Sequence, residues 1–139
     1  MNTKRRTTFY NFNNDAQKIA IKDIWAKYEE LLPPWILRVS FRFVQDETVN
    51  QVANVLMDLE YLNVKFTIYP QFFAQNEEDM EHAIAHEIAH TYIGDLTNWF
   101  GSTLELIKSE ETKSELQEEL RVKMERTTEW LAYALKNSA

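Results

Sequence analysis

The stretch His86-Glu87-Ile88-Ala89-His90 has the pattern H-E-x-x-H. On a helix its two histidines lie one turn apart on the same face, so their ring nitrogens can converge on one ion. The glutamate between them then reaches a water held by that ion. Two neutral imidazoles, a further protein ligand, an open water position and a carboxylate base are what a zinc hydrolase requires. Ile84, Ala85, Thr91 and Tyr92 flank the stretch without charge. Those neighbours allow the helix to be buried, and a buried face with two imidazoles and a carboxylate needs partners for all three.

Working outward, residues 77 to about 93 read as the helix carrying this stretch, with an acidic first turn that suits the helix dipole. Gly94 is expected to end it as a C′ residue. Residues 95–103 then form a loop that is a candidate cleft wall, with core packing the expected use of Trp99 and Phe100. Upstream, residues 62–69 and 51–57 read as strands joined by a hairpin that lacks glycine, and 71–76 as a loop. Residues 35–44 alternate, with Leu37, Val39, Phe41 and Phe43 on one side and Ile36, Arg38, Ser40 and Arg42 on the other. That pattern predicts a sheet covered on one face and wet on the other. Residues 15–32 read as an amphipathic helix, with Ile21, Ile24 or Trp25, Tyr28, Leu31 and Leu32 at helical spacing and Pro33-Pro34 as its stop. The first fourteen residues have no clear period. They are either a flexible lead-in or a segment anchored by Phe9, Tyr10 and Phe12. A long final helix covers 114–136, and 104–113 is a short helix or a loop.

Any zinc here needs a third protein ligand. There are no cysteines, so it must be histidine or carboxylate. Position 96, where an extended H-E-x-x-H motif would place a third histidine, is Leu96. His82 is the only other histidine, one turn before His86. Three ligands in a row on a straight helix reach too far along the axis, so His82 is a supporting donor or an ordinary structural histidine. Asp95 is an alternative ligand to watch. Glu125 and Glu129 share a face of the last helix one turn apart, in a section where Val122, Met124, Trp130, Leu131, Ala132, Tyr133, Ala134 and Leu135 predict burial. One could bind the ion and the other accept a hydrogen bond from a ligand histidine. The plain alternative is a solvated pair of acids.

H-E-I-A-H followed by E-x-x-x-E-x-L-A on a later helix resembles the gluzincin branch of the zincin-like metallopeptidases. The element order over 35–135 is also similar to the compact zincin domains often carried by phages and mobile elements. The resemblance implies that His86, His90 and Glu125 bind one zinc ion, that Glu87 is the general base, and that Glu129 orients His86. His82, Tyr92 and Tyr133 are candidates to stabilise the oxyanion. The implied fold is α+β: a small, mainly antiparallel three-stranded sheet packed on the N-terminal helix, the H-E-x-x-H helix and the C-terminal glutamate helix. By the same resemblance the strand at 62–69 is the sheet edge that pairs with an extended substrate.

With 139 residues, one domain is expected. A net charge of −7 argues against nucleic-acid binding, and the Lys4-Arg5-Arg6 cluster reads as a solvated tail. No run is apolar and long enough to span a membrane, and no signal-peptide core follows the basic start, so a cytoplasmic protein is expected. The reading is therefore a zinc metallopeptidase acting on a peptide or protein substrate. The alternatives are a zincin-like metal-binding module that acts through protein–protein contacts, and a helical interaction protein with a chance motif. Substrate and oligomeric state are not legible.

Overall fold

A computed structural model describes residues 5–139. The fold is α+β, a four-stranded mixed sheet with four helices. The chain runs through β1 (Arg6–Tyr10), α1 (Asp15–Tyr28), a short 3-10 turn (Glu29–Leu31), β2 (Arg38–Phe43), β3 (Ala53–Asp58), β4 (Asn63–Ile68), α2 (Pro70–Phe73), α3 (Glu77–Leu104) and α4 (Glu110–Ser138).

The sheet order is β1-β2-β4-β3. β1 pairs parallel with β2, β2 parallel with β4, and only β3 with β4 is antiparallel. The expected three-stranded, mainly antiparallel sheet is thus corrected to four strands of mixed sense. The added strand is β1. A helical crossover is the ordinary way to join parallel strands, and α1 supplies it. Residues 6–10 are therefore neither flexible lead-in nor solvated tail. Arg5 also leaves the expected basic tail, because its guanidinium donates to the carbonyls of Glu29, Pro33 and Ile36. Lys4 and the three residues before it lie outside the described residues.

Strand alternation builds the core. Phe9, Phe41 and Phe66 share one register row across β1, β2 and β4 and stack at 5.2 and 4.7 Å. Trp25 of α1 meets Phe41 edge-on at 5.0 Å, and Ile21, Ile24 and Tyr28 continue the buried stripe of that helix. α1 begins where Asn14 accepts the Gln17 amide. Between β3 and β4 the turn does without glycine. Asp58 accepts the Tyr61 amide, Leu62 takes a positive φ of 53°, and its carbonyl accepts from the Leu37 amide.

α3 is longer than the sequence suggests. It starts at the Asn76 cap, whose side chain accepts the Asp79 amide at 2.8 Å, and continues through Gly94 to Leu104. Gly94 is not a left-handed C′ residue. A Cβ there would lie 2.2 Å from the Met57 methyl carbon, so the missing side chain makes room for β3 beneath the helix. Trp99 and Phe100 are then not core residues but exposed helix positions, at 62% and 45%. Residues 70–73, expected as loop, form α2, with Pro70 at its first turn.

Candidate metal centre

Two helices bring the candidate ligands together. α3 and α4 lie against one another, joined by the short connection after Leu104. Ile84, Ala85, Ile88 and Ala89 turn one side of α3 into the core. The side carrying His82, His86 and His90 is thereby aimed at α4 and at the gap beside β3. On α4, Thr128 and Ala132 are the buried contact positions, which puts Glu125 and Glu129 at the rim of the same gap.

The convergence is tight. His86 Nε2 and His90 Nε2 are 3.1 Å apart. The Glu125 carboxylate reaches both, at 3.4 Å from His86 Nε2 and 3.6 Å from His90 Nε2. Four-coordinate zinc with bonds of about 2.0–2.2 Å separates its ligand atoms by about 3.3–3.5 Å. The two Glu125 contacts end on different oxygens, Oε2 toward His86 and Oε1 toward His90, so the carboxylate straddles the imidazole pair at spacings close to those of such an ion's ligands. Glu87 also comes within 4.8 Å of both imidazoles. The two carboxylates are alternative third ligands: Glu125 turns one oxygen to each Nε2, and Glu87 lies nearly buried beside them.

Hydrogen bonding fixes the ligand atoms. His86 Nδ1 donates to Glu129 Oε1 at 3.3 Å, which leaves Nε2 with its lone pair turned to the cluster. The same Glu129 oxygen accepts from His82 Nε2 at 2.6 Å. His82 in turn packs against Tyr133, with ring centroids 4.7 Å apart and the planes tilted by 42°. Burial would raise the Glu129 carboxyl, but the hydrogen bonds from His86 and His82 outweigh it and hold it below the usual carboxylate range. His90 is held below the ordinary imidazole range by burial, and further by His86, against a smaller opposite pull from Glu125. A neutral imidazole is the form that binds metal. Glu87 is 8% exposed. Burial first, then the charge of Glu125, pushes its carboxyl up to about 8.

Glu125 and Glu129 are not buried as their neighbourhood in the sequence suggests. Their side chains are 43% and 41% exposed, because Trp130 and Tyr133 turn outward and only one stripe of α4 packs inward. Tyr92 is not brought to the site either. Its hydroxyl donates to the Leu31 carbonyl, on another side of α3. Asp95 is exposed and does not line the cleft.

The cleft around the cluster has a volume of about 660 Å³. His82, His86, Glu87, His90, Glu125 and Glu129 line one wall, and residues 51–57 line the other. The wall strand is β3, whose outer edge has no strand neighbour among the described residues. β4, expected at the edge, is interior and paired on both sides. Thr97 and Asn98 line the cleft too, so part of 95–103 does form cleft wall, as a continuation of α3 beyond Gly94 rather than as a loop. No protein-family model, curated protein or solved structure matches this chain.

Proposed function

We propose that the chain is a zinc-dependent peptidase of gluzincin type. The observation that carries this reading is the convergence of His86 Nε2 and His90 Nε2, 3.1 Å apart, on the two oxygens of the Glu125 carboxylate at 3.4 and 3.6 Å, with Glu87 next to them in an open cleft.

His86, His90 and Glu125 would hold the ion, Glu129 keeps His86 in the tautomer that presents Nε2, and His82 steadies Glu129. When bound, the ion supplies Lewis acidity, which lowers the pKa of water and polarises a carbonyl. Glu87 accepts the proton of the attacking water and passes it to the leaving amine. An extended substrate adds to the free edge of β3 through main-chain hydrogen bonds, with its scissile bond carried to the cluster. β3 takes the part that the resemblance assigned to the following strand.

The test couples metal content to cleavage of an unfolded protein such as casein. The wild-type chain is expected to bind one zinc and cleave. Glu87→Gln should keep the zinc and lose at least about 100-fold in kcat/KM, the usual contribution of a general base. Cleavage at the wild-type rate by this variant removes the base assignment. Wild-type protein that binds no zinc stoichiometrically removes the whole reading.

A further inference from the structure

Arg6, Arg38, Arg42 and Lys65 stand on the face of the sheet opposite the aromatic core. They alternate along β1, β2 and β4 with Phe9, Val39, Phe41, Val64 and Phe66. Parallel strands are almost always covered on both faces. Here Arg6, Thr8, Tyr10 and Arg38 remain exposed. A groove of about 360 Å³ runs across this face, lined among others by Arg6, Thr8, Arg38, Ser40, Asn63 and Lys65.

The charge on this face is segregated. Lys27, Lys113, Arg121 and Lys123 each have a carboxylate within 4.0 Å, whereas Lys18, Lys22, Lys108, Arg126 and Lys136 are scattered cations without one among the described residues. Among the described residues, no carboxylate comes that close to Arg6, Arg38, Arg42 or Lys65. Asp58 is the one acid lining the groove, and it accepts the Tyr61 amide at 3.2 Å. Arg42 Nε is buried with no hydrogen-bond partner, and Arg42 Nη2 has only a 3.5 Å contact with Thr67 Oγ1. The net charge of −7 belongs to the whole chain. It acts weakly here, because screening confines a charge to about 8 Å at physiological salt.

We propose that this face binds the phosphate backbone of single-stranded nucleic acid. Same-face residues along a strand are about 6.6–6.8 Å apart and neighbouring strands about 4.8 Å. The four cations therefore form a track across three strands rather than a pocket around one anion. The hydroxyls of Thr8 and Ser40 and the amide of Asn63 interleave with them as further phosphate partners. A flat sheet face has no projecting element to enter a duplex groove, whereas a single strand lies along a basic groove with a base on an aromatic ring. Tyr10, in the same row as Arg42 and 36% exposed, offers that ring. Leu56, 64% exposed in the row of Lys65, borders the track, and polyglutamate as competitor separates an acidic protein from a nucleic acid.

The experiment is fluorescence anisotropy of labelled oligothymidylate with the full chain, at several salt concentrations. Four cations on phosphates give a slope of log K against log salt of about −3, or about −0.7 each. Arg6→Gln/Arg38→Gln/Lys65→Gln should bring the slope to about −1 and weaken binding at least about tenfold at low salt. Lys108→Gln/Lys136→Gln, away from the face, should change neither. If the triple variant fails to melt cooperatively, Lys65→Gln alone should reduce the slope by about 0.7. The proposal falls if the wild-type chain shows no salt-dependent binding or if the face variant binds as the wild type does. It falls equally if polyglutamate binds as well as the oligonucleotide, or if millimolar inorganic phosphate displaces the oligonucleotide completely. Chelator should leave binding intact, because the metal cleft lies on the helix side of the sheet. Loss of peptidase activity and loss of this binding are thus separate results.

Discussion

Glu87 couples the site to pH. In the metal-free chain its carboxyl sits at about 8, against 4.5 for a free side chain. The folded state therefore holds a proton that the unfolded state has released. The stability this contributes is complete below about pH 4.5 and is lost as pH rises towards 8, at no more than about 1.4 kcal/mol per pH unit. Urea titrations of metal-free protein are expected to show the wild type weakening relative to Glu87→Gln across that window. A constant difference between the two sinks the account. The ligand cluster gives a second expectation. Glu125→Ala should weaken zinc binding by about tenfold or more, whereas Glu119→Ala, on an exposed turn of the same helix, should bind as the wild type does. Competition with a chromogenic chelator reads both. That His86 and His90 share a face, and Glu125 and Glu129 another, was legible because residues four apart on a helix lie one turn apart, whereas the meeting of the two helices was implied only by the resemblance. The same rule speaks against Tyr92, which is two residues beyond His90 and so on nearly the opposite side of α3. The exposure of the two acids was not legible, because apolar letters in α4 do not say which of them find a neighbour.

α3 shows why element boundaries are harder to read than element types. Glycine after an apolar stretch signals a helix end when its freedom to adopt positive φ is used. Here the backbone at Gly94 stays helical, and its lack of a Cβ is used against Met57 of β3. That contact belongs to the tertiary fold and leaves no local mark. Gly101 lies in the same helix with nothing within 4 Å of where a Cβ would be. Gly101→Ala should therefore stabilise the protein by about 0.5–1 kcal/mol through helix propensity alone. Gly94→Ala should gain less, because the Met57 methyl must move. Thermal melts of the two variants decide this, and a larger gain at Gly94 refutes the packing explanation. Strand order was hidden for a related reason. Alternation identifies β2 and β4 as strands, but whether β3 or β4 takes the free edge depends on which side of β2 the hairpin lands. β1 was missed as a strand because it has only five residues, tied to the core by Phe9 and by Thr7, whose hydroxyl accepts from Trp25 Nε1.

At the scale of the molecule, the sheet separates two chemistries. Its helix side is apolar and ends in an acidic, imidazole-lined cleft, and its other side carries unpaired cations. The alternation in residues 35–44 foretold a wet face, but the concentration of charge depends on three strands in parallel register, which no single segment reveals. The candidate centre also joins parts of very unequal attachment. α3 buries seven residues, whereas α4, of similar length, buries Thr128 and Ala132. An ion held by His86, His90 and Glu125 would tie the lightly held helix to the firmly held one, so it acts as a clasp as well as a reagent. Arg121, Lys123 and Arg126 are exposed next to Glu125, and trypsin can report whether the clasp is shut. Cleavage after these residues should be fast in chelator and slow in zinc, while the sheet and α1 resist in both. An enzyme built this way would lose its own protection against proteolysis on losing its metal, and the apo form would be the one removed.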